Sequence, residues 1–199
     1  DFEGDTAAQA RLMHAAHQTN QRMQVVADET TAEFGLQPTK VGIKGNKFGV
    51  ENPGDLNQQG FVSAMTERAT RGKRPQALGK IRDISRGRFD CDNIDQVNAV
   101  TQSLKTRFTK LYGADNVQVL YRKPEDVYQR IHVLVRDPQT GVRHEWQVGT
   151  KALTTLIEDV SVAVPKGVEL HGYDFHTVVY DALEKLRRSD IRAKYGLPD

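Results

Sequence analysis

Cations crowd residues 71–88, which read Arg71-Gly72-Lys73-Arg74-Pro75-Gln76-Ala77-Leu78-Gly79-Lys80-Ile81-Arg82-Asp83-Ile84-Ser85-Arg86-Gly87-Arg88. Planar Arg forks and Lys ammonium groups suit a polyphosphate. The single acid among them, Asp83, has the chemistry of a Mg²⁺ ligand. That ion takes one or two protein carboxylates and fills its remaining positions with water and phosphate oxygens. Further along, Glu145-Trp146-Gln147 supplies a second carboxylate with an amide two residues on. Together the two segments point to an enzyme that handles a nucleoside triphosphate.

Such residues need elements to hold them. A strand is expected over 81–89, carrying Asp83 and Arg88, and further strands over 117–121 and 130–135. Asp137-Pro138-Gln139-Thr140-Gly141 is a turn signal, after which 142–148 pairs back as a hairpin. Side chains alternate along a strand. Arg143, Glu145 and Gln147 therefore share one face, while Val142, His144, Trp146 and Val148 share the core face. By the same parity Tyr128, Arg130 and His132 go together. A sheet face bearing Asp83, Arg88, His132, Glu145 and Gln147 would combine a metal ligand, phosphate clamps and a candidate base. Helical spacing predicts helices over 6–34 and 58–70. Another starts at a cap on Asp92 or Asn93 and closes at Gly113, and two more cover 151–160 and 174–189. The glycine-rich stretch 40–60 lacks P-loop spacing and reads as a surface connection or short hairpin. The expected class is α+β, a mixed β-sheet flanked by helices with an N-terminal helix. Residues 1–60 are read as the helix and its glycine-rich connection, and 61–199 as the main domain.

Composition narrows the function. The chain has 199 residues, 38% of them hydrophobic, and a formal net charge of only +2. Its cations are concentrated locally, with Arg68, Arg71, Lys73, Arg74, Lys80, Arg82, Arg86 and Arg88 facing Asp83 alone. A patch of this kind suits a compact anion better than a long nucleic-acid footprint. The one cysteine, Cys91, excludes an internal disulfide and a cysteine-rich zinc site. His14 and His17 share a helix face without a third ligand. No apolar run has the length of a membrane span. The start at Asp1-Phe2-Glu3, without Met or a signal sequence, reads as a piece of a longer protein.

Four segments, in order, resemble the synthetase domain of the RelA/SpoT-type alarmone synthetases. Arg71-x-Lys73 with Lys80 resembles that family's ATP-binding basic motif, and Asp83-Ile84-x-x-x-Arg88 its metal-binding strand. Val127-Tyr128-Gln129-Arg130-Ile131-His132 resembles its Gly-Tyr-x-Ser-x-His segment, and Glu145-x-Gln147 with Thr150 its Glu-x-Gln signature. The chain departs from the pattern at Val127, at Arg130 in the Ser position, and at Val148-Gly149-Thr150, where Ile-Arg-Thr is usual. The resemblance implies transfer of pyrophosphate from ATP to the 3′-hydroxyl of a purine nucleotide, ADP or ATP, GDP or GTP. It assigns Arg71, Lys73, Lys80 and Arg88 to ATP, Mg²⁺ to Asp83 and Glu145, and catalysis to Glu145 and Gln147. Tyr128 would stack on the acceptor base and His132 would contact a phosphate.

A synthetase half without a hydrolase half resembles the C-terminal toxin domain of a secreted interbacterial effector. Such a domain acts in the cytoplasm of a target cell and is held in check by an immunity protein. The alternatives are a tRNA 3′-end pyrophosphokinase, with RNA touched by Arg130 and the C-terminal cations, and a non-catalytic nucleotide-binding module.

Overall fold

The computed structural model describes residues 5–70, 80–121 and 130–155. Helix α1 spans Thr6–Phe34, capped by the Asp5 carboxylate, which accepts from the Ala8 amide, and closed at Gly35. A two-residue strand β1, Gly42–Ile43, and helix α2, Gln58–Thr70, follow. Strand β2 is Ser85–Cys91 and helix α3 is Ile94–Tyr112, its first turn held by the Asn93 side chain. Strands β3, Val117–Leu120, β4, Ile131–Arg136, and β5, Arg143–Thr150, complete the described sheet. The strand order is β1-β2-β5-β4-β3. Only the β2–β5 pair is parallel, and the other neighbours run antiparallel. This is the mixed α+β sheet that the sequence pattern implies.

Two features differ from expectation. The strand expected over 81–89 begins only at Ser85 and runs on to Cys91. Asp83 therefore stands at the entrance to β2 and not within it: its carboxylate is taken by Lys44, just after β1, and by Arg68 of α2, and the β2–β5 ladder starts at Ser85 opposite His144. The expected strands 117–121 and 130–135 are each shifted or shortened by a residue at their ends, and a helix starts at 151 as expected. Arg71, Lys73, Tyr128 and the expected helix 174–189 lie outside the described residues.

One sheet face is dry. Phe89, Val133, Val135, Trp146 and Val148 pack beneath Val97, Val100, Leu104 and Phe108 of α3 and beneath Met23, Val26 and Ala27 of α1. Trp146 stacks on Phe89 with centroids 4.9 Å apart and lies across Gly87 of the neighbouring strand. A Cβ at Gly87 would stand 2.3 Å from the indole, so only glycine fits there. The opposite residues of the same strands carry the charges, which is why β5 reads half-buried and buried in alternation.

Polar contacts tie α1 to the sheet. The Thr19 hydroxyl and the Arg22 guanidinium both donate to Asp137 in the β4–β5 turn. The Ser85 hydroxyl lies 2.6 Å from His144 Nδ1 and donates to Asn20. Burial pushes the fully enclosed His144 down from the usual imidazole value of 6.5 to about 3. A base whose folded pKa is depressed stabilises the fold above its unfolded pKa, and that stability drains away as the pH falls toward the folded value. The wild-type protein should therefore lose about 2 kcal/mol between pH 6.5 and pH 5 through this one side chain. Urea midpoints measured across that range should show the loss in the wild-type chain and lack this component in His144→Gln. Parallel curves for the two proteins would refute it.

Candidate active site

The β2–β5 register decides the site. It sets Arg86 beside Glu145 and Arg88 beside Gln147, while β4 places His132 beside Gln147 on the other flank. A cavity of about 880 Å³ opens over this polar face, with Asp83, Glu145 and His132 in its wall. Arg68, Lys80, Arg82 and Arg143 line the same cavity. Two carboxylates among four cations have the chemistry that a metal-bound polyphosphate requires.

Asp83 is only 9% exposed. Its Oδ2 accepts from the Lys44 ammonium and, at 2.9 Å, from the Arg68 guanidinium. Burial pushes the carboxyl pKa up, but Lys44 and then Arg68 outweigh it and hold the group below the ordinary carboxylate value. Lys44 moves down as well, since burial of its ammonium outweighs the attraction of Asp83. Both described contacts fall on the same oxygen.

Glu145 is gripped from two sides. The Gln147 amide donates to Oε1 at 2.8 Å, and His132 Nδ1 lies 3.3 Å from Oε2. Burial raises its pKa, but His132 and the Gln147 hydrogen bond overcome this, and the net shift is downward despite the opposing charge of Asp83. Glu145 is thus ionised at neutral pH. A carboxylate held in its charged form can anchor a cation or accept a hydrogen bond from a hydroxyl. Among the described residues no cluster of three or more metal-binding side chains forms. Asp83 and Glu145, which line the same cavity, are carboxylates of the kind Mg²⁺ takes alongside phosphate oxygens.

The expected single face is divided. Arg88 and Gln147 line a neighbouring cavity of about 510 Å³ together with Lys40, Phe48, Arg86 and Arg130. Arg88 pairs there with Asp90 at 2.9 Å, and Arg86 sits over the Phe48 ring at 5.1 Å. Arg130, weighed above as an RNA contact, is 4% exposed and engaged within the protein, donating to Gln147 and Thr154. Asp83, Lys80, His132 and Glu145 are brought together; Arg71, Lys73 and Tyr128 lie outside the described residues. Arg68, one of the cations grouped with Asp83 from the sequence, does pair with it, whereas sequence reasoning passed over Lys44. Lys44 left one signal, a lysine between glycines in a stretch read as a connection.

A mixed sheet with one helix-packed face and one face bearing carboxylates among cations defines the architecture of this α+β domain. The fold is that of the RelA/SpoT-type synthetases. Small alarmone synthetase 1 from Bacillus subtilis, bound to its product pppGpp, matches with a TM-score of 0.52 at 15% identity, covering 94% of this chain and 97% of its own. The same protein bound to AMPCPP matches at 0.50 and 14% identity over 90% and 93% of the two chains. The smu.1046c protein from Streptococcus mutans UA159 matches at 0.51 and 16% over 92% and 97%. No protein-family model matches the sequence, and no curated protein is detectably similar to it. No helix among the described residues is long and apolar enough to cross a membrane.

Proposed function

We propose that this domain transfers the β,γ-pyrophosphate of ATP to the 3′-hydroxyl of a purine nucleotide. The observation that carries the reading is the cavity in which Asp83 and Glu145, both ionised, face Lys80, Arg68, Arg82 and Arg143. The fold supports it, because the Bacillus subtilis relative is seen with an ATP analogue and with pppGpp. Transfer of this kind asks the protein mainly for positioning and charge neutralisation. Mg²⁺ held by Asp83 and Glu145 would supply a Lewis acid against the donor phosphates. Lys80, with Arg71 and Lys73, would neutralise the triphosphate, while Arg88 holds the donor from the adjoining cavity. Glu145, kept charged by His132 and Gln147, would orient the acceptor hydroxyl and take its proton as the bond to the β-phosphorus forms and AMP departs. His132 would face an acceptor phosphate and Tyr128 would stack on its base. We further propose, in line with the effector resemblance, that the domain acts as an antibacterial toxin paired with an immunity protein.

The deciding experiment incubates the domain with ATP, Mg²⁺ and, separately, ADP, ATP, GDP, GTP and tRNA, and resolves the products by anion exchange. A 3′-pyrophosphorylated nucleotide with AMP release is the expected result. ATP binding without product on any acceptor would favour a non-catalytic module, and labelling of tRNA alone would move the acceptor class. In the same assay Lys80→Ala should raise KM for ATP by roughly tenfold or more, since a charge-assisted contact is worth about 1.5–3 kcal/mol. Acceptor KM should change little. The reverse pattern would put Lys80 on the acceptor.

A further inference from the structure

We propose that Arg130 is a positioning residue for Glu145, acting through the side-chain amide of Gln147. This role rests on the reading of Glu145 as the catalytic carboxylate. Arg130 precedes β4 and is 4% exposed, so its guanidinium works inside the protein. Nη1 donates to Gln147 Oε1 at 3.2 Å, and Gln147 Nε2 donates to Glu145 Oε1 at 2.8 Å. The Arg130 fork is itself anchored, since Nη2 donates to Thr154 Oγ1 at 2.7 Å and the Thr154 hydroxyl donates to Asp90.

The direction of this chain follows from the chemistry of its members. A guanidinium only donates and a carboxylate only accepts, whereas an amide has one end of each kind. Arg130 can bind Gln147 only through Oε1, which turns Nε2 toward Glu145. Gln147 held at both ends loses its freedom to swing away, and Glu145 keeps the hydrogen bond that fixes its Oε1. Buried networks of this kind act as a unit.

Backbone packing makes room for the device. A Cβ at Gly149 would lie 2.8 Å from Arg130 Cγ, so the stem of Arg130 occupies the space that a side chain on β5 would fill. Two of the positions at which the chain departs from the resembling family, Arg130 and Gly149, thus meet in space. Their contact ties a cation from the approach to β4 to the carboxylate of β5.

The test compares Arg130→Met, Arg130→Lys, Gln147→Ala and the Arg130→Met/Gln147→Ala double variant, with Gly149→Ala as an indirect way to displace the guanidinium from a correctly folded chain. Each is assayed for kcat and for KM of ATP, and the Gln147 side-chain amide is followed by ¹⁵N NMR. Arg130→Met should lower kcat roughly 10–100-fold, the scale of a misplacement of about 1 Å, and leave KM for ATP within about twofold. Lys keeps the charge but cannot bridge Gln147 and Thr154 as a planar fork, so it should not rescue. The double variant should be no slower than Gln147→Ala, because both changes break one path. Gly149→Ala should shift kcat in the same direction. The Gln147 amide signals, sharp in the wild type, should broaden in each Arg130 variant. Additive losses in the double variant, or a raised KM at unchanged kcat, would overturn the proposal in favour of direct substrate contact. Gln147 signals unaffected by loss of Arg130 would overturn it even if the wild-type protein formed no product, a result that would separately remove the transfer reading.

Discussion

Glu145→Gln is expected to slow pyrophosphate transfer by roughly two to four orders of magnitude while leaving nucleotide binding nearly intact. The substitution keeps the volume of a side chain wedged between Gln147 and His132. It removes the negative charge and the ability to accept a proton at neutral pH. The remaining oxygen can keep the Gln147 hydrogen bond only by presenting an NH₂ group to His132, in place of the carboxylate oxygen there. On the proposed reading most phosphate contacts would come from Lys80, Arg68 and their neighbours across the cavity, so ATP affinity should hold. Single-turnover assays give the chemical step and calorimetry gives the binding. In bacterial cytoplasm the wild-type domain should arrest growth by depleting or poisoning purine nucleotides, and Glu145→Gln should be tolerated. A Glu145→Gln protein that still arrests growth and still yields the 3′-pyrophosphorylated product would sink the assignment.

Asp83→Asn should be as damaging to catalysis for a different reason. Loss of the carboxylate removes half of the acidic pair, and charge stabilisation by a metal is worth several kcal/mol, so activity should fall at least about a hundredfold. Stability should suffer too. Lys44 and Arg68 both converge on Asp83 Oδ2, and Lys44 is largely enclosed, its side chain only 13% exposed. Leaving such an ammonium with a neutral amide costs about 1–3 kcal/mol. The pH dependence follows from the depressed pKa of Asp83. Its contribution is complete above the ordinary carboxylate value of 3.8 and is lost only as the pH drops through the lower folded value. The destabilisation caused by Asp83→Asn should therefore be undiminished from neutral pH down to about pH 4 and shrink below it. Near-normal turnover in a folded Asp83→Asn protein would remove Asp83 from the metal site.

The local chemistry of this chain is written in its sequence. Apolar spacing and the Asn93 and Gly113 signals mark α3, and α1 runs over the residues that its composition indicates, because helix ends depend on caps a few residues away. Alternation in β5 puts Trp146 and Val148 inside and Glu145 and Gln147 on the polar face, because a strand has only two faces. What the sequence could not supply is which distant segments meet. The parallel pairing of β2 with β5 joins residues far apart in the chain, and neither strand encodes that register by itself. Lys44 reaches Asp83 from a glycine-rich connection, Arg68 reaches it from α2, and Arg130 enters the space left open by Gly149. Such contacts are set by the packing of α1 on the sheet in one apolar cluster and on α2 in a second, so charges spread along the sequence become one cavity only once the chain has folded.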